Sequence, residues 1–133
     1  EGVRRAFLRK GMSEDDMRVY NGDYTRTSGM QACSYFMNLA EPCQAVFSFN
    51  NEMTYGFYLG LKENNIPLDS IEVVSFGELD AAPLFNHRLS VIYQNPERIG
   101  EAVAELTLKW VEQKNKDREK RIFTPRFEKL FME

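Results

Sequence analysis

The sequence has few of the residues from which catalytic and metal sites are usually built. It contains one histidine, His87, and two cysteines, Cys33 and Cys43, among its 133 residues. A lone histidine cannot form a histidine-based metal cluster, and the spacing of the two cysteines matches no zinc or redox motif. We therefore expect no bound metal or cofactor, and two free thiols of the kind found in reducing compartments.

Glycine-rich phosphate loops, long apolar runs and an excess of positive charge are also lacking. Neither a GxGxxG nor a P-loop pattern occurs, and no Gly-x-Ser-x-Gly motif accompanies His87. No apolar run is long enough to span a bilayer, and we expect no signal peptide. The formal net charge of −3 does not provide the basic face that nucleic-acid binding normally needs. These features argue against an enzyme, a membrane protein and a direct DNA-binding module.

The chain alternates short apolar runs with amphipathic stretches. Apolar residues make up 43% of the chain and charged residues 28%, which is ordinary for a globular domain. The run at residues 45–49 carries no charge, which is typical of a strand buried on both faces. Strands are predicted at residues 17–20, 45–49, 71–76 and 89–93, with weaker candidates at 121–124 and 126–131.

Four helices are predicted around these strands, and a single helical turn is expected at residues 81–84. The longest helix carries Ile99, Val103, Leu106 and Trp110 at steps of four, three and four residues, which marks a buried stripe. The residues expected to cap or stop the helices are Gly11, Thr25 or Thr27, residues 64–65, and Asn95 followed by Pro96.

The spacing of the strands predicts the fold class. Crossovers of 20 or more residues separate the strands at residues 17–20, 45–49 and 71–76. Crossovers of that length imply parallel pairing through right-handed βαβ units. We therefore predict an α/β fold, with a mostly parallel sheet in a three-layer αβα arrangement.

Polar and aromatic side chains follow the predicted strands, at the edge where open α/β sheets bind ligands. Asp23 and Tyr24 come after the first strand, and Asn50 comes after the second. Phe76 is the last residue of the third strand, and Glu78 follows it. Amides and carboxylates hydrogen-bond hydroxyl groups, and an aromatic ring covers the C–H face of a sugar. This set favours a neutral polyol ligand over a phosphate.

Each of these residues also has a purely structural interpretation, and the sequence leaves both open. Asn50 or Asn51 can serve only as the cap of the next helix, and Asp23 only as a turn residue. Tyr24 can be an ordinary core-edge residue and Glu78 a solvated loop acid. The functional prediction depends on convergence at one sheet edge, not on any single residue.

Five segments, in the same order and with few gaps, resemble those of the LacI/GalR family of sugar-responsive transcriptional repressors. They are residues 1–7 (EGVRRAF), 22–29 (GDYTRTSG), 50–56 (NNEMTYG), 71–76 (IEVVSF) and 89–100 (LSVIYQNPERIG). The resemblance implies a periplasmic-binding-protein-like fold of type I, with a sugar or nucleobase effector held between two subdomains, and of these two we predict a sugar. It also implies that Asn50 hydrogen-bonds the effector and that Tyr24 or Asp23 lines the cleft.

Two positions depart from the family pattern. The family usually carries Asp-Asp where this chain has Gly77 and Glu78. The first of those aspartates often binds sugar hydroxyls, which Gly77 cannot do, so the effector differs or is held by Glu78. Asn51 also replaces the usual aspartate, which removes a charge at the start of its helix.

The resemblance further implies how the chain is organised. Residues 1–88 and 119–133 would belong to a C-terminal subdomain, and residues 89–118 would cross into an N-terminal subdomain that is mostly missing. The stripe on the longest helix would then lack its usual partner. The helix after Asn50 and the segment that follows the strand at residues 71–76 are expected to form a homodimer interface. The residues that a monomer would expose there are Tyr55, Tyr58 and Leu59 on the helix and Phe85 in the segment.

We therefore predict the effector-binding and dimerising part of a cytoplasmic LacI/GalR-type regulator. Operator DNA would be contacted only through an N-terminal domain that this chain does not carry. The alternative is a fragment of a periplasmic sugar-binding protein of an ABC transporter, which shares the fold. The segment at residues 89–100 favours the regulator, and an enzyme is the least favoured interpretation.

Overall fold

The structure, a computed structural model, describes residues 1–80, 88–113 and 119–130, and it divides into two compact units. The helical unit consists of Glu1–Gln44 and Glu52–Pro67. The sheet unit consists of Ala45–Asn51 and Leu68–Glu133. The mostly parallel sheet and the accompanying helices confirm the predicted α/β class.

The helical unit contains helices α1 (Gly2–Arg9), α2 (Arg26–Met37) and α3 (Asn51–Glu63), the last beginning one residue earlier in the sheet unit. A short 3₁₀ helix spans Glu14–Asp16. Thr25 caps α2, because its hydroxyl oxygen accepts the backbone N–H of Ser28 at 3.1 Å. This selects one of the two predicted capping threonines.

Two helices of this unit end as their sequences predict. Gly11 has a φ of +74° after α1, and the N–H of Met12 returns to the Phe7 carbonyl at 3.2 Å. Asn65 has a φ of +54° after α3, and the N–H of Ile66 returns to the Leu61 carbonyl at 2.9 Å. Both are the left-handed termination that satisfies the last carbonyls of a helix.

Helices α2 and α3 approach each other closely because three glycines lie between them. A Cβ on Gly29 would stand 2.2 Å from the Met53 carbonyl oxygen, and one on Gly56 would stand 2.0 Å from the Arg26 carbonyl oxygen. A Cβ on Gly60 would stand 2.7 Å from the Cys33 Cβ. The residues buried in this unit include Cys33, Phe36, Phe57 and Leu61.

The sheet unit is built on a four-stranded sheet in the order β1-β2-β3-β4. Strands β1 (Ala45–Ser48), β2 (Glu72–Phe76) and β3 (Leu89–Tyr93) are parallel, and β4 (Arg126–Lys129) is antiparallel to β3. Helix α4 (Pro96–Gln113) follows β3. The Asn95 side chain caps α4 by accepting the Arg98 N–H at 3.3 Å, as predicted.

Two predicted strands are wrong. Residues 17–20 form no strand in the described part of the chain. The Tyr20 ring instead lies 5.6 Å from the Tyr35 ring of α2, and its hydroxyl donates to Gln31 Oε1 at 3.1 Å. Residues 121–124 likewise form no strand in the structure as described.

The prediction that the strand at residues 45–49 is buried on both faces is also wrong. Ala45 is exposed and the Phe49 side chain is 62% exposed. The reason lies in the strand order, because β1 is the edge of the described sheet and pairs with β2 on one side only. An apolar run predicts a strand but not its position in a sheet.

The prediction that the apolar stripe of α4 is buried is wrong for part of the stripe. Within the described residues, Ala102 is the buried apolar side chain of this helix, while Ile99 and Leu106 are half-buried. Val103 is exposed, and Trp110 is 50% exposed. Helical periodicity identified the apolar face correctly, but the described chain supplies little to cover it.

We expect Gly56→Ala to destabilise the protein, because the new methyl group would collide with the Arg26 carbonyl. Overpacking of this kind costs about 1–3 kcal/mol. The matched control is Gly100→Ala in α4, where no described atom lies within 4 Å of the Cβ position. That change should stabilise by up to about 1 kcal/mol, since alanine favours a helix interior. Urea denaturation followed by circular dichroism measures both, and equal effects would contradict the close helix packing.

Candidate functional site

The sheet unit places two of the predicted ligand residues at one edge. Asn50 lies two residues beyond the end of β1, and Glu78 lies two residues beyond the end of β2. The two strands are parallel and in register, with Ser48 opposite Ser75, so both residues follow the same edge. The Ser48 hydroxyl donates to the Asn50 carbonyl oxygen at 3.1 Å, which fixes the backbone before α3. Phe76 is half-buried at the end of β2.

The two departures from the family pattern adjoin each other in this unit. Gly77 has a φ of +115°, a conformation that residues with a Cβ rarely adopt. A Cβ there would stand 2.3 Å from the Asn51 Oδ1. The Asn51 side chain therefore occupies the space that an aspartate at position 77 would need for its own Cβ.

Tyr93 and Arg126 join this edge, although the sequence did not identify them. Tyr93 is the last residue of β3, and Arg126 is the first residue of the antiparallel β4, paired directly with it. The Arg126 guanidinium lies 4.7 Å from the centre of the Tyr93 ring. The sequence predicts residues 89–93 as a strand but without a pairing, so the rule that selects Asn50 and Glu78 does not extend to the end of β3. The parallel pairing of β3 with β2 brings Tyr93 to the same edge.

The Tyr93 phenol interacts electrostatically with the side chains of Glu78 and Glu97. Burial raises the pKa of the Tyr93 phenol, and the charges of Glu78 and Glu97 together with a hydrogen bond to Glu78 raise it further. The Tyr93 hydroxyl also donates to Glu97 Oε2 at 3.4 Å, the long end of the hydrogen-bond range. Glu78 is half-buried, and its Oε1 is buried with no hydrogen-bond partner among the described residues. It is therefore not the solvated loop acid that the sequence left open.

In the helical unit, Asp23 stabilises the turn before α2. Its Oδ1 accepts the Thr25 hydroxyl at 2.7 Å and the Thr25 N–H at 3.1 Å. These hydrogen bonds lower the pKa of Asp23. Its backbone N–H donates to the Ser28 hydroxyl oxygen at 3.2 Å. The structural interpretation of Asp23 therefore holds, whether or not it also contacts a ligand.

Tyr24 is presented by this turn and is not a core-edge residue. Its side chain is 68% exposed, and its backbone has a φ of +68°. A left-handed conformation at a residue with a Cβ costs about 1–3 kcal/mol, and apart from turns and helix ends such residues cluster at functional sites. The hydrogen bonds between Asp23 and Thr25 hold the backbone of Tyr24 in this conformation. Tyr24 and Asp23 lie in the helical unit, so their convergence with Asn50 and Glu78 stays a prediction.

The candidate dimer residues on α3 differ in exposure. Tyr58 is 2% exposed, so the expectation that a monomer exposes it is wrong. Thr54, Phe57 and Leu61 are buried as well, which makes the buried face of α3 wider than the predicted spacing of four residues. Leu59 is exposed as expected, while Tyr55 is half-buried, with the Arg26 guanidinium 5.3 Å from its ring centre. Phe85, like His87 and the predicted turn at residues 81–84, lies outside the described residues.

Burial disfavours the reactive thiolate form of both cysteines. Both are free thiols, and burial raises the pKa of Cys33 to about 11. Burial also raises the pKa of Cys43. In the described ranges, no three His, Cys, Asp or Glu side chains are grouped so that they could hold a metal ion. Of the helices in those ranges, none is long and apolar enough to cross a membrane.

Residues 1–128 match the family model of the periplasmic binding protein-like domain. The chain belongs to this family of periplasmic binding protein-like domains, as the parallel sheet suggested.

The resemblance to LacI/GalR-type regulators is also confirmed. The chain is 28% identical over 123 residues to the transcriptional repressor PurR of Vibrio atlanticus (strain LGP32), covering 92% of this chain and 36% of that protein. It is 27% identical over 127 residues to the ribose operon repressor of Escherichia coli K12, covering 94% of this chain and 38% of that protein. The chain thus spans little more than a third of the length of these curated relatives.

Solved structures agree in fold. A LacI family transcriptional regulator from Enterococcus faecium with bound ribose aligns with a TM-score of 0.86 at 23% identity, over 97% of this chain and 48% of that chain. The complex of the transcriptional regulator CelR with cellobiose gives a TM-score of 0.83 at 22% identity, over 96% of this chain and 39% of that chain. At these identities the likeness establishes the fold.

We expect Gly77→Ala to destabilise more than Gly11→Ala. Both glycines have positive φ, but no described atom lies within 4 Å of the Cβ position at Gly11, whereas Asn51 Oδ1 is 2.3 Å from it at Gly77. The difference in free energy of unfolding between the two variants isolates the collision and should be about 1–3 kcal/mol.

Adding Asn51→Ala to Gly77→Ala should recover part of that loss, because it removes the colliding atom. Urea denaturation of the two single variants and the double variant gives the coupling energy. A coupling energy of zero would mean that Asn51 and Gly77 do not contact each other.

Proposed function

We propose that this chain is the effector-binding and dimerising part of a LacI/GalR-type transcriptional regulator whose effector is a sugar. The observation that carries this proposal is that Asn50 and Glu78 follow two neighbouring parallel strands at one sheet edge. An amide and a carboxylate together donate to and accept from sugar hydroxyls. The bound ribose and cellobiose in the structures of two similar regulators support the same class of ligand.

Three further residues have proposed roles in effector binding. Tyr24 provides an aromatic contact, which its exposed ring and strained backbone support. Phe76 lies at the end of β2, next to the Gly77 turn. Asp23 holds Tyr24 and is the proposed second polar contact from the helical unit.

The rest of the proposal concerns the whole protein. A separate N-terminal domain contacts operator DNA, since this chain has a net charge of −3. The regulator acts in the cytoplasm and is not an enzyme, in keeping with relatives that are named as transcriptional repressors. The same names favour a regulator over the transporter-type sugar-binding protein.

We also propose that residues 1–88 and 119–133 belong to a C-terminal subdomain and that residues 89–118 lead into an N-terminal subdomain. Within that segment, strand β3 is paired with β2. The exposed side chains of Val103 and Trp110 on α4 support a missing partner for this helix.

Asn50→Ala should weaken effector binding while leaving operator affinity unchanged. Removing one amide that hydrogen-bonds the ligand costs about 0.5–1.5 kcal/mol, and more if a partner stays buried. Calorimetry with ribose and fluorescence anisotropy with operator DNA, both on the full-length protein, measure the two affinities. Asn38→Ala is the control, since Asn38 is an exposed asparagine at the end of α2. Equal loss of both affinities in Asn50→Ala would indicate misfolding and contradict the assigned role.

A homodimer formed through α3 and the segment that contains Phe85 is the proposed assembly. Leu59 is exposed on α3, and Tyr55 is half-buried beside Arg26. Exposed apolar residues on a soluble domain often mark partner surfaces, and most homo-oligomers are two-fold symmetric. Tyr58 is excluded from a direct role because it is already buried in one chain.

Leu59→Lys should convert the dimer to a monomer, because a charge at the centre of an apolar interface cannot be solvated. Tyr55→Lys should act in the same direction. The control is Leu108→Lys, which places the same charge at an exposed leucine of α4. Sedimentation velocity distinguishes the species. If Leu59→Lys and Leu108→Lys both sediment as the wild-type dimer, α3 is not the interface.

A further inference from the structure

Asn21 and Gly22 form the one Asn-Gly dipeptide of the sequence, and they lie just before the turn that leads into α2. Both residues are exposed, and neither belongs to a helix or a strand. No hydrogen bond joins the Asn21 side chain or the Gly22 N–H to another described residue. An exposed irregular segment without such hydrogen bonds opens at little cost, which a reaction between neighbouring residues requires.

The chemistry available to this dipeptide is attack of the Gly22 backbone nitrogen on the side-chain amide of Asn21. A bond forms between that nitrogen and Asn21 Cγ, the bond from Cγ to Nδ2 breaks, and Nδ2 leaves as ammonia with the Gly22 proton. Water then opens the cyclic imide at either carbonyl. The products are an aspartate, or an isoaspartate in which the main chain runs through the former side chain. Glycine favours the attack because no Cβ hinders its nitrogen.

The packing of the helical unit explains why a glycine occupies position 22. A Cβ there would stand 2.2 Å from the Met53 Cε and 2.7 Å from the Ser28 Oγ. The Met53 side chain is flexible, but the Ser28 Oγ is held in place, since it accepts the Asp23 N–H at 3.2 Å. A larger residue would therefore disturb the start of α2. The close packing keeps glycine beside Asn21 and so preserves the reactive dipeptide.

An isoaspartate at position 21 would lengthen the main chain by one atom between two anchored points. On one side, the Tyr20 hydroxyl donates to Gln31 Oε1 on α2 at 3.1 Å. On the other side, hydrogen bonds fix Asp23 to the start of the same helix. The extra atom must displace one of these anchors. Displacement of Asp23 would release Tyr24 from its left-handed conformation, which has a φ of +68°.

We propose that Asn21 is a site of spontaneous deamidation, and that its isoaspartate product weakens the turn that presents Tyr24. The reaction needs only water and goes beyond the proposed function, on which it does not depend. Its effect on ligand binding rests on the proposed role of Tyr24 as an effector contact. Deamidation would then limit the time over which the protein keeps its full affinity for the effector.

The first test compares the deamidation rate of Asn21 in the folded full-length protein with the rate in a free peptide of residues 19–26. Trypsin releases the same peptide from the protein, because it cleaves after Arg18 and Arg26. Mass spectrometry detects the conversion of amide to carboxylate, and labelling by protein isoaspartyl methyltransferase measures the isoaspartate. Asn38 is the internal control, since it is exposed but is followed by Leu39, whose side chain hinders the attack.

The rate in the folded protein should lie within about tenfold of the rate in the peptide, because opening of this segment costs little. Asn38 should stay unmodified over the same period at neutral pH. A rate further than this below that of the peptide would show that the fold protects the Asn21–Gly22 bond, and the inference would be overturned. Equal rates at Asn21 and Asn38 would overturn it as well.

The second test measures hydrogen exchange at the amides of Asp23, Thr25 and Ser28, which donate hydrogen bonds within the turn. The isoaspartate form should exchange these amides at least about tenfold faster than fresh protein. Asn21→Asp carries the new charge without the added main-chain atom and should exchange slowly. Unchanged exchange in the isoaspartate form, or equally fast exchange in Asn21→Asp, would contradict the argument from chain length.

Calorimetry with ribose connects the modification to the proposed function. The isoaspartate form should bind ribose more weakly than fresh wild type, whereas Asn21→Gln, stored for the same time, should keep its initial affinity. If the isoaspartate form binds ribose as tightly as fresh protein, the proposed effect on binding is wrong. If fresh wild type binds neither ribose nor cellobiose, the proposed function fails, while the rates of deamidation and exchange still decide the inference.

Discussion

Parallel pairing of β1, β2 and β3 is the constraint on which the candidate site depends. The pairings of Ser48 with Ser75 and of Phe76 with Ile92 align the carboxyl ends of the three strands. Residues from distant parts of the sequence then meet at one edge without attraction between their side chains. Such an arrangement tolerates groups that would not associate alone, including a carboxylate with a buried oxygen that has no hydrogen-bond partner among the described residues. Burial of apolar residues such as Val73 and Leu89, near the amino ends of β2 and β3, stabilises the sheet that carries this edge.

The elements that the sequence predicted correctly are those determined by local chemistry. The strands at residues 45–49, 71–76 and 89–93 are short apolar runs bounded by polar turn residues, and the structure places β1, β2 and β3 there. Gly11 and Asn95 act through their own backbone or side chain, so their positions at helix ends follow from residue type. A structural feature that is determined by a few neighbouring residues can therefore be predicted from a single sequence.

The errors concern what lies next to an element. The apolar periodicity of α4 predicts that one face of the helix is buried, but it does not predict whether residues of the same chain cover that face. Trp110 lies on that face and is half exposed. The segment at residues 17–20 has strand-forming residues, yet Tyr20 is held by side chains of α2. Tyr58 was not among the residues of α3 predicted to face the core, but it is buried because the buried face of α3 is wider than predicted. Each outcome depends on tertiary neighbours that local propensity does not encode.

The same distinction explains why part of the candidate site was missed. Arg126 reaches the ligand edge only because β4 runs antiparallel to β3, and its sequence of mostly charged residues gives little strand signal. Gly77 and Asn51 each replace an aspartate of the family pattern, and the sequence alone gives no sign that the two replacements are related. In the folded chain their positions are in contact. In the structure one side chain fills the space that the other leaves open, and the remaining carboxylate, that of Glu78, is beside Tyr93. Roles proposed for this chain from the family therefore depend on the geometry of the strand ends, not on single alignment positions.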